Sequence, residues 1–139
     1  MINNSCDSIL CGSYAVQSKC IHQILQGTTA EIELFVIEYN SDTYVKISEN
    51  ITEFKIALIN EFGDVIFYVD EKDIPDTFSL DEYSFKIKIT DEISKKYTGK
   101  LFAEIIFKFD NSEDIHGFPC VLVANLIESK ILKYVKTTT

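Results

Sequence analysis

The chain has 139 residues, 46% of them hydrophobic, and a net charge of −9, which is ample apolar material for the core of one domain. All 13 basic residues are lysine, and an acidic chain without arginine is ill suited to nucleic acid or to an anionic membrane surface. No apolar run approaches the ~20 residues that span a bilayer as a helix. The first residues have neither the basic nor the apolar region of a secretory leader, so the chain is expected to be cytosolic at birth or already processed.

Residues 1–20 are rich in Asn, Ser and Cys and show little periodicity. Ile9, Leu10, Tyr14 and Val16 are apolar islands within them. This composition predicts an extended arm that packs across the domain or is ordered by a neighbouring subunit, with those four residues as its anchors. Residues 20–25 form a short strand candidate, broken by Gln26-Gly27-Thr28. The first long strand is expected over 29–39, with Ala30, Ile32, Leu34 and Val36 on one face. Its second face opens with Glu31 and Glu33 and continues with Phe35, Ile37 and Tyr39, so it is solvated at its start and covered at its end. Asn40-Ser41-Asp42 signals a turn, and 43–50 is a weak strand or irregular connection.

The span Ile51–Asn60 alternates well, with Phe54, Ile56 and Leu58 inward and Glu53 and Lys55 outward. Glu61-Phe62-Gly63 closes a hairpin, and 64–70 returns with Val65, Phe67 and Val69 on one face. Residues 71–81, which include Pro75, read as a loop. The span 84–109 organises the middle of the chain. Phe85, Ile87 and Ile89 alternate with Lys86 and Lys88, Thr90 can cap a helical turn carrying Asp91 and Glu92, Lys95 and Lys96 sit at its end, and Gly99 lies just past it. Alternation then resumes through Leu101, Ala103, Ile105, Phe107 and Phe109. Residues 110–117 read as a second hairpin loop. A strand over 119–126 sets Cys120, Leu122, Ala124 and Leu126 against Val121 and Val123. Residues 128–135 are a further strand or an amphipathic segment, and 137–139 a frayed tail. The sum is an all-β, antiparallel sandwich of about seven strands over 21–136, with one short helical turn. A small barrel fits the same periodicity.

Chemistry is hard to find. Cys6, Cys11, Cys20 and His22 do not have the close cysteine pairs of zinc ribbons and fingers. Small buried thiols, a disulfide among the first three cysteines and a metal site all stay open there, and Cys120 reads most simply as a core residue. His116 reads as a solvated loop histidine, without a positioned partner for general-base work. The acidic stretch Asp70-Glu71-Lys72-Asp73 with Asp76 lacks the EF-hand pattern, and Asp110, Asn111, Glu113 and Asp114 read likewise as solvated loop residues. No nucleophile elbow, phosphate-binding loop or dinucleotide fingerprint occurs. Tryptophan is absent, which weakens a sugar-stacking surface. Tyr39, Tyr44, Tyr68, Tyr83 and Tyr97 remain for one, although strand residues with a polar tip at the sheet rim are the simpler reading. No cofactor, metal or small-molecule ligand is expected.

The order of these pieces resembles the immunoglobulin-like N-terminal domain of tailed-phage upper baseplate proteins and related virion sandwich domains. Three features carry the resemblance between residues 24 and 127. They are Gln26-Gly27-Thr28-Thr29 leading into a long strand, the unit Thr90-x-Glu92 followed by Gly99 between two strands, and a hairpin loop ending in Gly117 before a closing apolar strand. Glu49-Asn50-Ile51-Thr52 departs from the family's Asp-Leu-Thr-Gly segment, and no long C-terminal extension is seen. The resemblance implies a stand-alone adaptor or decoration subunit of the tail, baseplate, collar or capsid surface. Such a subunit is non-enzymatic, assembles in the host cytoplasm, and has copies of itself and other virion proteins as partners. A carbohydrate-binding or adhesin-type sandwich of a bacterial surface protein is the competing expectation.

Overall fold

Alternation of apolar and polar residues builds two sheets around one core. The computed structural model describes residues 5–11, 14–19, 23–38, 43–109 and 114–128, with the backbone alone for residues 5–11, 19 and 118–120. The first sheet has six strands in the order β1 (Ser5–Cys11), β2 (Tyr14–Lys19), β4 (Ala30–Glu38), β9 (Ser84–Ile89) and β8 (Phe78–Leu80), with β5 (Thr43–Tyr44) added on β4. The second has five in the order β3 (Gln23–Leu25), β11 (Ile115–Ile127), β10 (Gly99–Phe109), β6 (Ile51–Asn60) and β7 (Val65–Asp70). Neighbouring strands run antiparallel, except that β3 joins β11 in parallel. Among the described residues there are two one-turn helices, α1 (Ile47–Asn50) and α2 (Asp91–Ser94).

The inward faces are those the alternation predicts for β4, β6, β9 and β10. Ile32, Leu34 and Val36 meet Phe54, Ile56 and Leu58, Phe85, Ile87 and Ile89, and Leu101, Ala103, Ile105 and Phe107 in one buried cluster. Phe54, Phe67, Phe78 and Phe85 form its aromatic heart, with ring centroids 5.6–6.4 Å apart and members from both sheets. As expected, Thr90 caps α2 by accepting the Ile93 N–H.

Several expectations are corrected. Residues 5–11 and 14–19 are a hairpin within the first sheet rather than an arm, and Val16 is fully buried in the core of its own chain. The segment is too polar to show a strand period, yet its backbone pairs along β4. Val65 is 60% exposed because the β6–β7 register shifts, so Ile59 pairs with Val65 and Leu58 with Phe67, leaving Ile66 as the additional inward residue. A similar shift in β10–β11 sets Leu122 beside Phe102 on the outer face while Val121 and Val123 are buried. The expected loop over 71–81 contains β8, and the connection over 43–50 contains β5 and α1. Strands of two or three residues are too short to display a period. The predicted turn at 40–42, the segment 129–135 and the tail lie outside the described residues.

Candidate functional surfaces

The outer faces of the two sheets differ. On the first, Glu31 pairs with Lys88 and Glu33 with Lys86, which in turn stands opposite Ser79. Lys86 Nζ also reaches Asp81 at 2.8 Å, and Glu33 accepts the Ser84 hydroxyl at 2.8 Å. This part of the face is charge-paired, whereas toward β2 the same outer face is covered, with Ala15, Gln17 and Ile37 all buried.

The second sheet carries apolar residues outward. Leu122, Phe102, Ile59 and Val65 are in register across four neighbouring strands. The next row is Glu104, Ala57 and Tyr68, and the one after it Ile106, Lys55 and Asp70. Leu122, Ile106, Tyr68 and Val65 are exposed. Outward apolar residues at this density mark a contact surface more often than a solvated sheet does. The row ends on β7, the edge strand of that sheet, and the side chains of 65–69 carry no charge to discourage pairing with another strand.

A cleft of about 490 Å3 lies below this face, between Lys55, Lys72, Ile106 and Ile115. Its carboxylates are committed to local structure. Asp70 Oδ1 accepts the N–H groups of Lys72 and Asp73, both at 2.9 Å, and Glu71 Oε2 accepts the Phe54 N–H at 3.1 Å. The turn N–H of Lys72 holds the Asp70 carboxyl below its ordinary range. Glu53 lies 3.8 Å from Lys108. Asp70 and Glu71, expected to be solvated loop acids, instead hold the turn after β7 and tie it to β6. Among the described residues no group of His, Cys, Asp and Glu is arranged to hold a metal.

A second cleft, of about 440 Å3, opens at one end of the sandwich. Tyr14, Tyr44, Tyr83 and Phe109 line it with Glu38 and Lys46. Tyr14 lies opposite Glu38 in the β2–β4 register, and burial first, then that carboxylate, raises the phenol's pKa. Its ring sits 4.8 Å from Phe109 and 4.9 Å from His116. Tyr44 lies between Phe35 at 5.7 Å and Tyr83 at 6.4 Å. Lys46, just ahead of α1, reaches Glu82 in the turn before β9 at 3.5 Å.

His116 is corrected from a loop residue to a strand residue. It belongs to β11, opposite Phe107, and stacks on that ring at 5.3 Å. Of the four expected anchors, Val16 is core and Tyr14 packs within its own chain, while Ile9 and Leu10 pair with Val16 and Ala15 in the outermost strand β1. Cys20 and His22 lie outside the described residues, as do the side chains of Cys6, Cys11 and Cys120. Sequence reading passed over Phe102 and Ile59, and it set Leu122 on one face with Ala124 and Leu126, which are buried. The signal for the first two was present, because β6 and β10 carry apolar residues at alternate outward positions as well as inward ones. No family model matches the chain, and no curated protein matches it significantly.

Proposed function

We propose that the protein is a non-enzymatic structural subunit of a tailed-phage virion, an immunoglobulin-like sandwich that works by protein–protein contact with copies of itself and with neighbouring virion proteins. The observation that carries the assembly reading is the in-register apolar row Leu122, Phe102, Ile59 and Val65 running to an open sheet edge. The virion setting rests on the sequence resemblance. The strand order supports the immunoglobulin-like assignment. Lettered from β2, omitting β5 and taking β3 as a second half of the first strand, the sheets read A-B-E-D and G-F-C-C′.

Two motifs behind the resemblance also meet in space. Gln26 Nε2 donates to the carbonyl of Tyr97 at 2.9 Å, tying the lead-in to β4 to the segment after α2. The mechanism is geometric: a rigid body presents an apolar face and a strand edge that is unpaired among the described residues, and desolvation of the face with backbone pairing at the edge holds the neighbour.

The test is light scattering after size exclusion on the full chain and on Val65→Lys and Leu122→Lys variants. Deleting 1–20 is unsuitable, because it strips β1 and β2 from the sheet. Concentration-dependent assembly that either lysine abolishes, with the melting temperature unchanged, supports the reading. A wild-type chain that stays monomeric at every concentration reached overturns self-assembly through this face.

A further inference from the structure

The aromatic cleft at the end of the sandwich is independent of the assembly face and has its own chemistry. We propose that it binds a neutral saccharide ring. Shape comes first. A volume of about 440 Å3 falls within the ~300–1,000 Å3 range of small-molecule sites, and the cleft sits where loops of a sandwich cluster and carry function.

The second step is the wall. Tyr14 is held by Phe109 and His116, and Tyr44 by Phe35 and Tyr83. The phenols are therefore positioned before any ligand arrives, which lowers the ordering cost of binding. An aromatic face accepts the C–H face of a pyranose, and a phenolic hydroxyl can donate to or accept from a sugar hydroxyl.

The third step is charge, which selects the class. Glu38 and Lys46 both line the cleft, so a cation meets an ammonium and an anion meets a carboxylate. Lys46 is held by Glu82 at 3.5 Å, and its pKa is raised, by Glu49 first and then by Tyr83 and Glu82. A neutral polyol uses both groups as hydrogen-bonding partners. Asn50 adds an amide: its Nδ2 donates to the Lys46 carbonyl at 2.9 Å, which orients the side chain.

The chain contains no tryptophan, so its intrinsic fluorescence reports on tyrosine alone. The experiment titrates the full chain with glucose, galactose, mannose, N-acetylglucosamine and their β-linked oligomers up to tens of millimolar. It follows tyrosine emission and backbone amide shifts. The expected result is saturation by at least one of these sugars, with shifts centred on Tyr44, Lys46 and Tyr83. Tyr83→Ala, in an exposed turn, is expected to weaken that binding about tenfold. Tyr68→Ala, on the outer face of the other sheet, is expected to leave it unchanged. Lack of saturation by every sugar overturns the proposal, as does binding that Tyr83→Ala leaves intact. Saturation of the same amides by choline chloride but by no sugar overturns the ligand class.

Discussion

The Ser94 hydroxyl accepts the Gly27 N–H at 2.9 Å and donates to the neighbouring Thr28 carbonyl at 2.7 Å. Ser94 is fully buried at the end of α2, and the turn it holds joins β3 to β4. One hydroxyl thereby satisfies two backbone groups about 66 residues away. Ser94→Ala leaves both without this partner and is expected to cost about 2–3 kcal/mol. A lowered urea midpoint with an unchanged slope is the predicted signature, and a loss below ~0.5 kcal/mol contradicts this account.

Asn60 does comparable work at the β6–β7 hairpin. Its Oδ1 accepts the N–H groups of Phe62 and Asp64 at 3.1 and 2.9 Å, while Nδ2 donates to Asp64 Oδ2 at 2.9 Å and to the Thr98 carbonyl at 3.3 Å. Asn60→Ala is expected to cost about 2 kcal/mol and to raise amide exchange at Phe62 and Asp64 before the rest of the sheet. Uniform exchange across the sheet with no local opening counts against it.

Gly99 has a positive φ of 100°, and a Cβ there would stand 2.9 Å from Glu61 Cγ and from Phe62 Cε2. The side chains can move aside, but the backbone conformation stays unfavourable for any L side chain. Gly99→Ala is expected to lose about 1–2 kcal/mol. Thermal unfolding followed by far-ultraviolet circular dichroism measures it, and an unchanged melting temperature refutes it.

Asp70 makes the stability of the protein depend on pH. Its carboxyl lies below the ordinary value of 3.8 in the fold, chiefly because the Lys72 N–H favours the ionised form. A depressed folded pKa means that the stabilisation is present above the unfolded value and is lost as pH falls through the folded value. The wild type is expected to exceed Asp70→Asn in stability at pH 7. That advantage should shrink toward zero as acid titrates the group. Urea midpoints of the pair across the acid range decide the matter, and a gap that persists below the folded pKa removes the charge from the explanation.

The central strands were legible because each combines a long period-two pattern with flanking turn signals. Ile51–Asn60 and Ser84–Ile89 emerge from the sequence with the bounds they have in the fold, and Thr90 caps its helix as read. Strands β1 and β2 were not legible. Serines and cysteines fill positions where apolar residues would mark a face, and pairing with β4 supplies what local pattern lacks. Bulges hid the outward turn of Val65 and Leu122, since one additional residue reverses the side on which every later residue falls. The aromatic cleft was invisible for a different reason. Tyr14, Tyr44, Tyr83 and Phe109 come from four separate parts of the chain, and only the pairing of β2, β4 and β5 brings the first two together.

The parallel pairing of β3 with β11 sets a timetable. Gln23 to Leu25 find their partners only in Asn125 to Ile127, about a hundred residues further on. A ribosome releases the chain N-terminal end first, so β3 waits unpaired through synthesis of nearly the whole domain. The first sheet can zip earlier, because β4 and β9 are both available well before β11 is made. Contacts this distant in sequence slow folding, and until they form the inner faces of β6 and β10 lack their complete cover. The last strand to be made thus acts as the latch of the second sheet, seated between β3 and β10.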